Sequence, residues 1–216
     1  MAGKQLSNGL NRANVEGVRR QQLIDATLKS IELYGFQGTT IVTISKLAGM
    51  SSGIISHYFG GKQGVIEAAV RYLLDQLKQG LLQQLQAGQA RQVSPRERLM
   101  MIVETNFAGF QRSSSATVTW LAFWAKAMHD PALARLQRVN SQRLSSNLLY
   151  SFRQLIADPI AARDAAAMTA AMIDGMWLRS TLNLTPATDD AFNEAERLCK
   201  AFIDSLIATS GRTDEI

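Results

Sequence analysis

Between Thr40 and Lys62 the sequence reads TIVTISKLAGMSSGIISHYFGGK, and its polar residues are spaced for recognition. Ser52, Gly53, Ser56 and His57 fall largely on one face of a short helix, and each is small or able to hydrogen-bond. Such a face is what a DNA major groove can admit, with hydroxyls and an imidazole meeting base edges. Thr40, Thr43, Tyr58 and Lys62 flank it with groups suited to the phosphate backbone, and Ile54 is placed to meet a thymine methyl or to be buried. The elements that must hold this face are a helix over 43–48, a turn at Gly49-Met50-Ser51 and a second helix over 52–59. Glycine can take the left-handed conformation of such a corner. Ser51 is expected to cap the second helix, with Ile55 and Phe59 one turn apart and facing inward. The same spacing also occurs in surface helical hairpins that bind nothing.

A second constellation is aromatic. Trp120, Trp124 and Trp177 are the chain's three tryptophans, and Phe107, Phe110 and Phe123 accompany them. Trp120 and Trp124 are one helical turn apart; Asp174 precedes Trp177 by three residues, and Glu104 precedes Phe107 by three. Aromatic faces with a carboxylate suit a quaternary ammonium ion, at about 0.5–2 kcal/mol per cation–π contact. The same aromatics also suit an ordinary core.

Nothing in the sequence matches an enzyme signature. No GxSxG, Walker-type, dinucleotide-binding or HExxH pattern is present. His57 and His129 fall in different expected domains and form no metal-ligand spacing, so neither metal nor cofactor is expected. The serines at 113–115 read as a loop. Cys199, the single cysteine, reads as a packed core thiol and excludes an intramolecular disulfide, consistent with a reducing cytoplasm. No run reaches the roughly 20 apolar residues of a membrane span, and the start lacks a signal-peptide core.

The 216 residues, 46% of them hydrophobic, can bury a sizeable core. Residues 1–71 hold eight basic and four acidic side chains, so most of the net charge of +5 sits in the first third, as in a phosphate-binding domain. The expected organisation is a flexible arm over 1–13, a DNA-binding domain over 14–61 and a ligand-binding and dimerisation domain over 62–216. Lys4, Arg12, Arg19 and Arg20 are placed to touch the DNA backbone from the arm and the start of the first helix.

Helical periodicity predicts a helix over 16–34 stopped by Gly35, then one from Lys62 to about Leu85, with a linker over 86–95. Further helices are expected over 95–110, 116–129, 131–156, 159–183 and 188–209, with breaks at 113–115, Asp130-Pro131, Asp158-Pro159 and Thr185-Pro186. The fold class is therefore all-α with about nine helices. The alanines of 161–171, with Met168, Met172 and Met176, and the stripe Phe192, Ala195, Cys199, Phe202 and Leu206 offer more apolar surface than one packing face needs. A homodimer through a four-helix arrangement is expected, placing two recognition helices on a pseudo-palindrome.

The segment from Gln22 to Lys62 resembles the DNA-binding domain of the TetR family. The shared pattern is Gly35, Gly38-Thr39-Thr40, the turn at Gly49, Tyr58-Phe59 and Lys62. WLAFWAKAMHDPALARLQRVNSQRLSSNL, from Trp120 to Leu148, and IDGMWLR, from Ile173 to Arg179, resemble one branch of it, the choline-responsive repressors of glycine-betaine synthesis. The resemblance implies a dimeric repressor of these genes on double-stranded operator DNA, relieved or modulated by choline. Its ligand residues would be Glu104, Phe107, Trp120, Phe123, Trp124, Asp174 and Trp177. A TetR-type repressor of an efflux or catabolic operon, answering to another cationic or apolar molecule, is the alternative. Met50 in the turn and Gly60-Gly61 before Lys62 depart mildly from the branch.

Overall fold

In the computed structural model, residues 2–89, 92–182 and 189–210 are described, with side chains from residue 14 onward apart from those bordering the gaps. The expected arm, residues 1–13, lies outside the described side chains, and the expected break at Thr185-Pro186 lies outside the described residues. Nine α-helices and one 3-10 turn are present among the described residues, with no strand. They are α1 (Ala2–Gly38), α2 (Ile41–Ala48), α3 (Gly53–Phe59), α4 (Lys62–Gln89), α5 (Pro95–Asn106), α6 (Ser114–Ala127), α7 (Pro131–Phe152), α8 (Pro159–Leu182) and α9 (Asp189–Ser210), with the 3-10 turn at Gly109–Arg112 between α5 and α6.

Local chemistry explains most of the boundaries. Gly35 leaves helical geometry inside α1 (φ 65°, ψ 177°), so the helix breaks there and Phe36–Gly38 add one further turn. Asp130 accepts hydrogen bonds from the backbone N–H groups of Ala132 and Leu133, and Asp158 from those of Ile160 and Ala161. With Pro131 and Pro159 opening α7 and α8, both starts are fixed by an aspartate cap and a proline that has no N–H to satisfy. Ser94 and Glu97 close a reciprocal capping box on α5, which extends the pattern to a third start.

The chain divides into two compact units. The first comprises residues 1–73 and 114–134. Here α1 packs on α2 and α6, and Leu23, Ile31, Ile44, Ile55, Val65, Phe123 and others are buried. The second comprises residues 74–113 and 135–216. In it α8 and α5 both pack on α9, with Ala162, Ala165, Ala166, Ile173, Phe192, Ala195 and Ile203 buried. Cys199 is buried in this second core, and desolvation followed by the Glu196 charge pushes its thiol up to about 12, so it stays protonated and inert. On α8, Ile160, Met168 and Leu182 remain exposed at 68%, 45% and 54%, which leaves apolar surface the single chain does not cover. Among the described residues no helix is long and apolar enough to cross a membrane.

Candidate DNA interface and effector residues

The recognition segment is held from behind. Ile44 of α2, Ile55 of α3, Leu23 and Ala26 of α1 and Val65 of α4 form one cluster, with Ile41, Met50, Ile54, Tyr58 and Phe59 packed against it. Ile55 is fully buried while Ser52, Gly53, Ser56 and His57 are exposed, so the two faces expected of α3 are both present. Ile54 sits between these faces, partly buried against the cluster. Gly49 takes the left-handed conformation (φ 64°, ψ 32°) that turns the chain from α2 to α3, and its N–H donates back into the last turn of α2.

The cap assigned to Ser51 is not formed. α3 opens at Ser52, itself in helical conformation, and no side chain caps the first turn. The first amides of α3 instead reach backbone oxygens, Ile54 N–H donating to the Ser51 carbonyl and Ile55 N–H to that of Ser52. Both serine hydroxyls therefore remain on the exposed surface.

Among the flanking residues, Thr40 is exposed and caps α2, its hydroxyl accepting from the Thr43 N–H at 3.1 Å. The Thr43 hydroxyl accepts from the Thr40 N–H at 2.8 Å and contacts the Ser30 hydroxyl at 3.0 Å. Thr43 thus completes a reciprocal cap and ties α2 to α1, so its hydroxyl is committed inside the protein. Tyr58 is half-buried, with its ring 4.9 Å from that of His57. Lys62 opens α4 and is half-buried, with no carboxylate partner among the described residues.

Two residues do more, or other, than the sequence indicated. Arg20 donates to the Tyr58 carbonyl at 2.9 Å and lies 4.7 Å from the Phe59 ring centre, so it pins the end of α3 to α1 rather than only reaching for phosphate. Lys46, exposed in the last turn of α2, adds a cation outside the spaced motif. Its only sequence signal was position on the outer face of α2. Gly64 is a third positioning residue. A Cβ there would lie 1.8 Å from the Phe59 carbonyl oxygen, so only glycine lets the first turn of α4 abut the end of α3.

The seven expected ligand residues fall in both units. In the first, α6 carries Trp120 and Phe123, both buried, and half-buried Trp124. The Trp120 ring centre is 5.8 Å from Phe123 and 5.9 Å from Trp124, both tilted, as aromatic packing favours. In the second, Phe107 is fully buried and Trp177 stacks at a tilt on Phe192 at 6.5 Å. Glu104 accepts from Lys200 at 2.7 Å, and Lys200 also reaches Glu196 at 2.8 Å. That ion pair spends the Glu104 charge inside the protein, which removes it as an uncommitted counter-ion.

Asp174 is different. Its surface is open to solvent by area, yet the protein crowds it enough that desolvation pushes its carboxyl up to about 6. It has no ion-pair partner among the described residues, and the charge it carries at neutral pH is available to a cation. No group of three or more metal-ligating side chains occurs among the described residues.

Known proteins are similar to this chain in sequence and fold. Residues 23–69 match the family described as bacterial regulatory proteins, tetR family, and residues 95–208 match the C-terminal region of BetI-type transcriptional repressors. The HTH-type transcriptional regulator BetI of Pseudomonas paraeruginosa is 48% identical over 200 residues, covering 91% of this chain and 97% of that protein. BetI of Paraburkholderia phymatum is 44% identical over 199 residues, covering 92% and 98%. Among solved structures, a candidate transcriptional regulator from Saccharomonospora viridis in complex with choline superposes with a TM-score of 0.72 at 20% identity, covering 86% of this chain and 95% of that one. At that identity the likeness is one of fold.

Proposed function

Because the chain belongs to the TetR family of bacterial regulatory proteins and is a BetI-type transcriptional repressor, we propose that it represses genes for the synthesis of glycine betaine from choline, with choline as its effector. The observation that carries this reading is the BetI-type match across residues 95–208, the part of the chain that holds all seven expected ligand residues. The choline complex of the Saccharomonospora viridis protein, alike in fold, supports the ligand class.

In this mechanism the exposed face of α3 reads the major groove, with Ser52, Gly53, Ser56 and His57 at base edges. Thr40, Tyr58, Lys62 and Lys46 hold the phosphates. A homodimer formed through the apolar surface of α8 and α9 presents two such faces to a pseudo-palindromic operator. Asp174 is the counter-ion of the quaternary ammonium, since its charge alone among the expected ligand residues is uncommitted. Choline can release the operator only to the extent that it binds the two dimer conformations with different affinity.

Tryptophan fluorescence of the purified protein, titrated with choline, betaine and an uncharged alcohol, tests the effector. Saturable quenching by choline and not by the alcohol is expected. A folded protein that ignores choline would sink this reading and leave the repressor of an efflux or catabolic operon, with its DNA chemistry unchanged.

A further inference from the structure

The first unit holds a recess that neither the recognition face nor the effector residues account for. Every residue that borders it lies in that unit, on the last turn of α1, the first turns of α4, and α6 with the turn beyond it. Along α6 the bordering residues form one stripe: Ala122, Ala125, Lys126 and His129 stand at i, i+3, i+4 and i+7. The His129 N–H donates to the Lys126 carbonyl at 3.0 Å, which carries the stripe past the end of the helix. The recess is about 610 Å³ and opens to solvent. Small-molecule pockets usually measure about 300–1,000 Å³.

Its lining is of two kinds. Ile66, which is buried, joins Phe36 and the two alanines in an apolar wall, while Lys62, Lys126 and His129 bring ammonium and imidazole groups. No carboxylate borders the recess. None of these three polar side chains has a carboxylate partner among the described residues. Asp130, next along the chain, is committed elsewhere. Its Oδ1 accepts from the N–H groups of Ala132 and Leu133, and its Oδ2 from the Gln63 amide at 2.7 Å. Two lysines on one recess with no negative charge between them repel, and an anion placed there favours both. The charges exclude a cation, and the apolar wall is wasted on a bare inorganic ion.

We propose that this recess binds an aromatic carboxylate, whose occupancy competes with operator phosphate for Lys62. The ring lies against Phe36, Ile66 and the alanines of α6, whose small side chains leave room for a planar body. The carboxylate meets Lys62 and Lys126, with His129 as a further donor. Lys62 is also the phosphate-holding residue at the start of α4, so an anion drawn into the recess withdraws that charge from the DNA. The competition rests on the DNA role proposed above for Lys62. It is independent of the choline reading, because none of the residues assigned to choline borders the recess. Linkage makes the competition reciprocal: bound operator weakens the carboxylate by the same factor as the carboxylate weakens the operator.

The test begins with calorimetric titration of the full-length protein, free of DNA, with sodium naphthoate at constant ionic strength. Naphthamide, inorganic phosphate and choline are run beside it. A labelled operator duplex, selected by the protein from a random pool, is then titrated with and without saturating naphthoate. Naphthoate is expected to bind saturably, with naphthamide and phosphate at least roughly tenfold weaker. Operator affinity should fall roughly tenfold in its presence, because each dimer forgoes two phosphate contacts. Lys126→Met should weaken naphthoate roughly tenfold and leave operator affinity without naphthoate unchanged. Ala125→Leu, which extends a side chain into the recess from an exposed position, should weaken naphthoate with no change of charge. Naphthamide or phosphate matching naphthoate, wild-type naphthoate binding in both variants, or operator affinity indifferent to naphthoate would each overturn the proposal. So would a loss of operator affinity in Lys126→Met without naphthoate, which would assign the recess to the operator backbone instead. Lys62→Ala separates the site from the DNA reading. Unchanged operator affinity and salt dependence in that variant would take Lys62 off the phosphates and overturn the competition, whereas failure of naphthoate to bind overturns the site and leaves the DNA role of Lys62 standing.

Discussion

The face of α3 and the effector residues differ in what their side chains already do. Ser52 and Ser56 hold their hydroxyls out from a packed back, making no hydrogen bond within the protein among the described residues, and Ile55 fixes the face from below. Most of the effector candidates are engaged: Phe107 and Phe123 are fully buried, Trp177 packs on Phe192, and Glu104 is paired with Lys200. Only Asp174 retains an unspent charge. Reading DNA takes many modest contacts from a rigid, outward surface, so its residues can be recognised by exposure. Holding a small cation takes one desolvated charge and a few aromatic faces inside a core, where functional and structural aromatics look alike.

The sharpest way to break the contrast is to disturb the back of α3 and leave its face intact. Gly64→Ala does this. Alanine gains about 1 kcal/mol of helix propensity over glycine in a helix interior. Against that, its Cβ would meet the Phe59 carbonyl oxygen at 1.8 Å, and backbone cannot rotate away as a side chain can. Overpacking costs of about 1–3 kcal/mol are usual, and this contact is at the severe end, so the clash should win. A lower melting midpoint and loss of specific DNA binding, with the choline titration preserved, is the expected result. An unchanged midpoint and unchanged DNA affinity would show that the junction of α3 and α4 is looser than described.

Substitutions on the face itself should spare the fold. His57→Ala is expected to cost about 1–3 kcal/mol of operator affinity, chiefly for the correct sequence. Lys62→Ala should weaken all sequences alike and lower the salt dependence by about one phosphate contact per subunit. Binding isotherms at several salt concentrations separate the two. If both variants behave alike, the division between base-reading and phosphate-holding residues fails.

The contrast also explains how much the sequence alone could deliver. Helix starts at Pro95, Pro131 and Pro159 were legible because capping is local chemistry, read within four residues. The α3 face was legible because its pattern of apolar and small polar residues is itself the exposure pattern. Ser51 misled because a serine before a helix caps only if its rotamer and backbone allow, and here backbone carbonyls take the first amides. Thr43 and Glu104 have partners within the protein that the sequence did not show, for a shared reason. Their partners, Ser30 and Lys200, lie 13 and 96 residues away, beyond any motif. Asp174 was proposed from its spacing to Trp177, but on α8 the two diverge, Trp177 inward and Asp174 open to solvent. Its distinction is the crowding that raises its pKa, which no spacing reveals.

That raised pKa gives the effector end its own test. Ionised Asp174 attracts choline and protonated Asp174 does not, so choline affinity should be full above pH 7 and fall as pH drops through about 6. Between pH 8 and pH 5 the loss should be roughly tenfold, since protonation one unit below the pKa leaves about a tenth of the carboxylate ionised. Asp174→Asn should show the weak affinity at both pH values and a flat profile. The same shift has the opposite sign for the unliganded protein. A carboxyl raised on folding favours the protonated state, so its contribution to stability is greatest below the unfolded pKa and is lost as pH rises through about 6. A steep choline profile that survives in Asp174→Asn would move the counter-ion elsewhere.

Glu104 is where the smallest effect is expected, and it decides whether the assignment of Asp174 is unique. Its partner Lys200 keeps a second carboxylate, Glu196 at 2.8 Å, so Glu104→Gln leaves no cation stranded. The pair with Lys200 is partly exposed on both sides, with relative side-chain accessibility of 28% for Lys200 and 40% for Glu104. Solvent-screened pairs of this kind contribute about 0–1 kcal/mol, so the melting midpoint should move by a few degrees at most. Choline affinity and its pH profile should both match the wild type, because a carboxylate already neutralised by an ammonium has little left to offer a second cation. Were Glu104→Gln instead to weaken choline as much as Asp174→Asn does, the ion pair with Lys200 would have to open on binding. Glu104 would then be a gated counter-ion, released to the ligand while Glu196 retains Lys200.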